Sequence, residues 1–139
     1  DTHYYSAQDN TMELDWFSVK GSYSGSYSIY SSASYKNFDA DCYSLWLEDG
    51  DRVEFKLIDG NMSGLWSMSV KVIEFGKNNS NNDREVYCHE FSGSSDSFVY
   101  NESSTGTVYG CYLNVSMWED LVNFGPYNYE VEIKIVRDP

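Results

Sequence analysis

Positive charge is what this chain has least of. Nine Lys and Arg residues, scattered singly, stand against 22 Asp and Glu, for a formal net charge of −13. A phosphate backbone is held by clustered cations that displace its counterions, so nucleic acid is excluded as a partner. An anionic membrane surface is disfavoured for the same reason. No apolar run approaches the roughly 20 residues of a membrane-spanning helix, so no membrane insertion is expected. Histidine is nearly absent: only His3 and His89 occur. His89 follows Cys88 directly, and adjacent strand residues point to opposite faces, so the two cannot act as a nucleophile–base pair. No enzyme is expected. Cys42, Cys88 and Cys111 have no Cys-x-x-Cys or Cys-His ligand spacing, which excludes a zinc site.

What the chain has in abundance is aromatic residues: thirteen Tyr, seven Phe and four Trp among 139 residues. Disordered chains are poor in aromatics, so this one folds, and its length suits one domain with a substantial core. Residues 39–57 are the most telling. Tyr43, Leu45 and Leu47 alternate with Cys42, Ser44 and Trp46; beyond Asp49-Gly50-Asp51, Val53, Phe55 and Leu57 alternate with Glu54 and Lys56. Period-two alternation about an Asp-Gly turn predicts two amphipathic strands joined as a tight hairpin.

Similar alternation predicts strands over residues 12–19, with a phase shift at Phe17, and over 65–75, 84–91, 97–100, 107–117 and 127–136. The Gly/Ser/Tyr tract 21–35 is read as a further strand, since Tyr23, Tyr27 and Ile29 keep even spacing. Residues 77–83 form a polar loop. Residues 118–124 are the one candidate for a short helix, and Gly125-Pro126 breaks the chain before the last strand. Some eight short strands with almost no helical period predict an all-β antiparallel sandwich or jelly roll, a single domain. Residues 1–20 are either a strand-like N-terminal arm or a first strand, and 21–139 are the sandwich domain.

The segment Asp39-Ala-Asp41-Cys-Tyr43-Ser-Leu45, followed by Gly50-Asp51-Arg-Val53-Glu-Phe55-Lys-Leu57, resembles the signature of the bacterial and archaeal pre-peptidase C-terminal domain. Thr105-Gly106 through Tyr109, Leu113 and Val115, and Gly125-Pro-Tyr127-Asn-Tyr129-Glu-Val131, are similar to that family's later strands. The resemblance covers roughly the last two-thirds of the chain, and the first 35 residues have no counterpart in it. It implies a secreted, non-catalytic β-sandwich concerned with adhesion or surface binding.

Four Asn-x-Ser triplets, beginning at Asn61, Asn78, Asn101 and Asn114, point to export and N-linked glycans, hence to an extracellular or cell-surface protein. Cys111 shares a strand face with Tyr109, Leu113 and Val115, and Cys88 sits in an earlier strand. A Cys88–Cys111 disulfide is expected, with Cys42 free or intermolecular; the alternative is three buried thiols. Asp39, Asp41, Asp49 and Asp51 surround the expected hairpin and form a candidate calcium site, although Asp is also an ordinary turn residue. Trp46 lies opposite the apolar face of its strand and marks an exposed binding or assembly surface. Aromatic residues could also stack on the sugar rings of a polysaccharide.

Met12, Leu14 and Trp16 would fill a groove on a neighbouring copy if the arm adds to a sheet edge. The expected function is therefore a self-assembling surface or filament subunit, a homo-polymer joined by strand addition. A carbohydrate- or surface-binding module is the alternative.

Overall fold

The computed structural model describes residues 2–6, 16–26, 37–62, 67–119 and 123–137. Among them there are nine strands and no helix: β1 (Thr2–Ser6), β2 (Phe17–Ser26), β3 (Asn37–Leu45), β4 (Arg52–Asp59), β5 (Ser67–Asn78), β6 (Asp83–Glu90), β7 (Ser95–Val99), β8 (Gly106–Glu119) and β9 (Asn123–Val136). They form a five-stranded sheet in the order β1-β3-β8-β5-β6 and a four-stranded sheet in the order β2-β9-β4-β7. Every pairing is antiparallel except that of β1 with β3, which is parallel.

The alternation legible in the sequence sets the two inner faces. Met68, Val70 and Val72 on β5 and Leu113 and Val115 on β8 face Val53 and Phe55 on β4 and Val131, Ile133 and Ile135 on β9, all buried in one core. Each such side chain contributes roughly 1.5–3 kcal/mol by leaving water. A slip of one residue would expose a whole strand's set, and this penalty holds the register. Phe91, just after β6, stacks on Phe55 with ring centroids 4.7 Å apart, closing the core between the sheets.

The expected hairpin is not a hairpin. β3 pairs with β8 and β1, whereas β4 pairs with β9 and β7, so the turn carries the chain from one sheet to the other. The six residues of the link let the apolar faces of Tyr43 and Leu45 and of Val53 and Phe55 meet across the core. Both arrangements satisfy the same alternation. The described residues of the expected helix are strand instead: Trp118 and Glu119 end β8 opposite Phe38 and Asn37, and Asn123 and Phe124 begin β9 opposite Ser26 and Gly25. Nor does Gly125-Pro126 delay the last strand. The β2–β9 register shifts between Tyr23 and Gly25, and this irregularity takes up the proline's missing donor.

No disulfide forms; Cys42, Cys88 and Cys111 are all free thiols. β5 lies between the strands of Cys88 and Cys111. Two strand spacings separate their backbones by roughly 10 Å, beyond the ~7 Å a disulfide can bridge. Tyr109 also leaves the face it was expected to share with Cys111 and is 54% exposed. Phe75 pairs with Gly110 but Gly76 with Val108, so Tyr109 is the extra residue of a bulge.

Among the described residues of the first 26, two strands pair within the chain, β1 on β3 and β2 on β9.

Candidate binding surfaces

At one end of the sandwich the β3–β4 link and the residues between β7 and β8 are fastened together. Gly50 N–H donates to Tyr100 O and Tyr100 N–H to Asp51 O, both at 2.8 Å. The buried Asp51 carboxylate accepts from the backbone N–H of Glu48 at 2.7 Å and from Arg137 Nη2 and Nε at 2.8 and 3.0 Å. Arg137 Nε also lies 2.8 Å from Glu48 Oε2. Asp49 accepts from the backbone N–H of Glu102 at 2.7 Å. Beneath them the buried Glu74 carboxylate accepts from the Tyr100 hydroxyl (2.7 Å), Ser103 N–H (2.9 Å) and Arg84 Nη1 (3.1 Å). Burial works against this charge, but the three donors outweigh it and hold the Glu74 pKa below its ordinary value.

The result is a preorganised loop end that presents the 58%-exposed Trp46 beside the exposed acids Glu48, Asp49 and Glu102. Such a surface favours a basic partner with an apolar patch.

Of the four aspartates considered for calcium, the three whose side chains are described do not converge. Asp51 and Asp49 organise loops, Asp41 is buried under the Tyr129 hydroxyl, and the Asp39 side chain lies outside the described residues. Among the described residues no three His, Cys, Asp or Glu side chains are grouped to hold a metal ion.

Of the candidate assembly residues, Met12 and Leu14 lie outside the described residues. Trp16 precedes β2 with Lys56 Nζ 4.0 Å from its ring centroid. Asn101 is exposed, and Asn61, Asn78 and Asn114 are partly exposed. Asn78 Oδ1 accepts from Ser80 and Asn82 N–H, while Asn114 lies on the outer face of β8 with Nδ2 3.3 Å from Cys42 Sγ.

One polar pair went unread in the sequence. His89 Nε2 lies 2.9 Å from Asp96 Oδ2, and its ring stacks on Phe98 at 4.7 Å. The pair links edge strand β6 of one sheet to edge strand β7 of the other. Its spacing of seven positions around a turn carries no periodic signal.

These features define a two-sheet β-sandwich. No family model matches the chain, and no curated protein sequence matches it. In fold it is similar to the crystal structure of PliG from Aeromonas hydrophila, a periplasmic lysozyme inhibitor of g-type lysozyme. The TM-score is 0.58 at 13% identity, over 98% of this chain and 100% of that one. At that identity the likeness is one of fold. The extracellular, cell-surface location expected from the Asn-x-Ser triplets conflicts with this neighbour, which is a periplasmic protein. The triplets arise readily in a chain so rich in Asn and Ser.

Proposed function

We propose that this protein is a periplasmic, non-catalytic binding module that docks its acidic loop end onto a basic protein and blocks it, in the manner of a lysozyme inhibitor. The observation that carries the reading is the Arg137–Asp51–Glu48 clamp, which fixes the loop carrying Trp46 before any partner arrives. A loop already ordered loses little conformational entropy on binding. The net charge of −13 favours encounter with a cationic partner. The end-to-end fold likeness to a g-type lysozyme inhibitor supplies the enzyme class to try first.

The test is lysis of purified cell walls by a g-type lysozyme with and without the protein, alongside calorimetry of the two proteins. Inhibition at near-stoichiometric concentration, weakened by Trp46→Ala, supports the reading. Full lysis in the presence of excess protein, with no binding heat, overturns it.

A second reading is favoured by β1. The orders β2-β9-β4-β7 and β3-β8-β5-β6 are those of two interleaved Greek keys, which supports a jelly roll complete without β1. β1 would then be the strand given to the β3 edge of a neighbouring copy, building a homo-polymer. Light scattering of the full chain against a chain lacking residues 1–6 tests this, and a concentration-independent full-length monomer overturns it.

A further inference from the structure

The outer faces of the two sheets differ in chemistry. On the four-stranded sheet, Lys56 pairs with Glu132, Glu54 with Lys134 and Lys20 with Glu130, a ladder of opposite charges suited to water. On the five-stranded sheet, Tyr112, Ile73 and Tyr87 form a row across β8, β5 and β6, and Gly110, Phe75 and Glu85 form the next. Over this second row lies a cleft of about 390 Å³ lined by Phe75, Tyr109, Tyr112, Gly110 and Glu85, with Cys42 and Ser44 behind. This volume falls at the small end of ligand sites.

The bulge builds the cleft. By displacing Tyr109 it sets that ring 5.8 Å from Phe75 at 51°, so the two make a corner rather than a stack. Gly110 leaves the floor open: a Cβ added there would meet nothing within 4 Å. Glu85 is the one charged residue among the described lining, and no Lys or Arg joins it.

Aromatic faces carry negative quadrupole charge and attract cations with apolar skins, whose low hydration makes them easy to strip of water. A carboxylate at the rim adds charge complementarity, and the chain's charge of −13 repels anions. We infer that this cleft binds a small, free organic cation of the quaternary-ammonium class, of which choline is the simplest probe. The cleft shares no lining residue with the loop end, and the assignment does not depend on that end's function.

Calorimetric or NMR titration of the full chain with choline, and with its uncharged tert-butyl isostere, provides the test. Choline should bind saturably, and the isostere at least about tenfold more weakly. Tyr109→Ala and Glu85→Gln should each weaken choline by about tenfold. Gly110→Leu should fill the cleft and abolish binding while leaving thermal unfolding unchanged; if that variant fails to fold, Tyr109→Ala decides alone. No saturation by about 10 mM, or an isostere that binds as well as choline, overturns the assignment. So does binding to choline-headed vesicles without binding of free choline.

Discussion

The Tyr129 hydroxyl, on the four-stranded sheet, donates to the buried carboxylate of Asp41 on the five-stranded sheet, so the two sheets are joined by a polar bond inside the core. The single Tyr129 hydroxyl proton is directed at Asp41, so in the Tyr43–Tyr129 contact the Tyr43 hydroxyl donates to the Tyr129 oxygen. Burial, and next the Asp41 carboxylate, push the Tyr129 pKa up, and the hydroxyl keeps its proton. Two residues of the motif that resembles the pre-peptidase C-terminal signature, Asp41 and Tyr43, therefore serve the interior.

Tyr129→Phe should cost about 1–3 kcal/mol, because a buried carboxylate loses a donor that no water replaces. Urea denaturation measures this. A variant as stable as the parent would show that Asp41 has found another partner.

Glycines separate close packing from open space. Gly106→Ala drives a Cβ to 1.9 Å from the carbonyl oxygen of Lys77, which is backbone and cannot turn aside, whereas Gly110→Ala meets nothing. The first should destabilise by more than about 2 kcal/mol and the second by less than about 1. Melting curves of equal depression for both would contradict this packing.

Acid should unfold the protein through Glu74 and Asp96. Burial raises both pKa values. It is outweighed at Glu74 by Ser103, Tyr100 and Arg84, and at Asp96 by His89 and the N–H groups of Ser97 and Ser92. Each folded value lies below its ordinary value, 4.5 for Glu74 and 3.8 for Asp96. The stability they contribute is fully present above the unfolded-state values and is lost as pH falls through the folded ones. Denaturation free energy should therefore decline below about pH 4, less steeply in Asp96→Asn. An identical slope in that variant would remove Asp96 from the account.

The thiols should be inert while the protein is folded. Burial pushes the Cys111 thiol up to about 12 and raises Cys42 and Cys88 as well, so little thiolate is present near neutral pH. Thiol reagents at neutral pH should label almost nothing in native protein and all three cysteines in denaturant. A cross-linked peptide recovered without reductant would contradict three free thiols.

The local pattern of residues determined which side chains face inward. Val131, Ile133 and Ile135 alternate with Glu132 and Lys134, and only one phase of a strand can bury them. The acidic balance was equally legible, because composition is independent of fold. Partnership was not. Period two specifies a face but not the strand on either side, so the β3–β4 arch read as a hairpin and two cysteines on strands separated by β5 read as a bridge. The polar contacts were more remote still: Tyr129 and Asp41 are 88 positions apart, and Arg137 and Asp51 are 86. Those separations are closed only when the two sheets pack, driven by non-directional burial of apolar surface. The loop clamp, the His89–Asp96 pair and the cleft over Gly110 are consequences of that packing, and tertiary structure alone decided them.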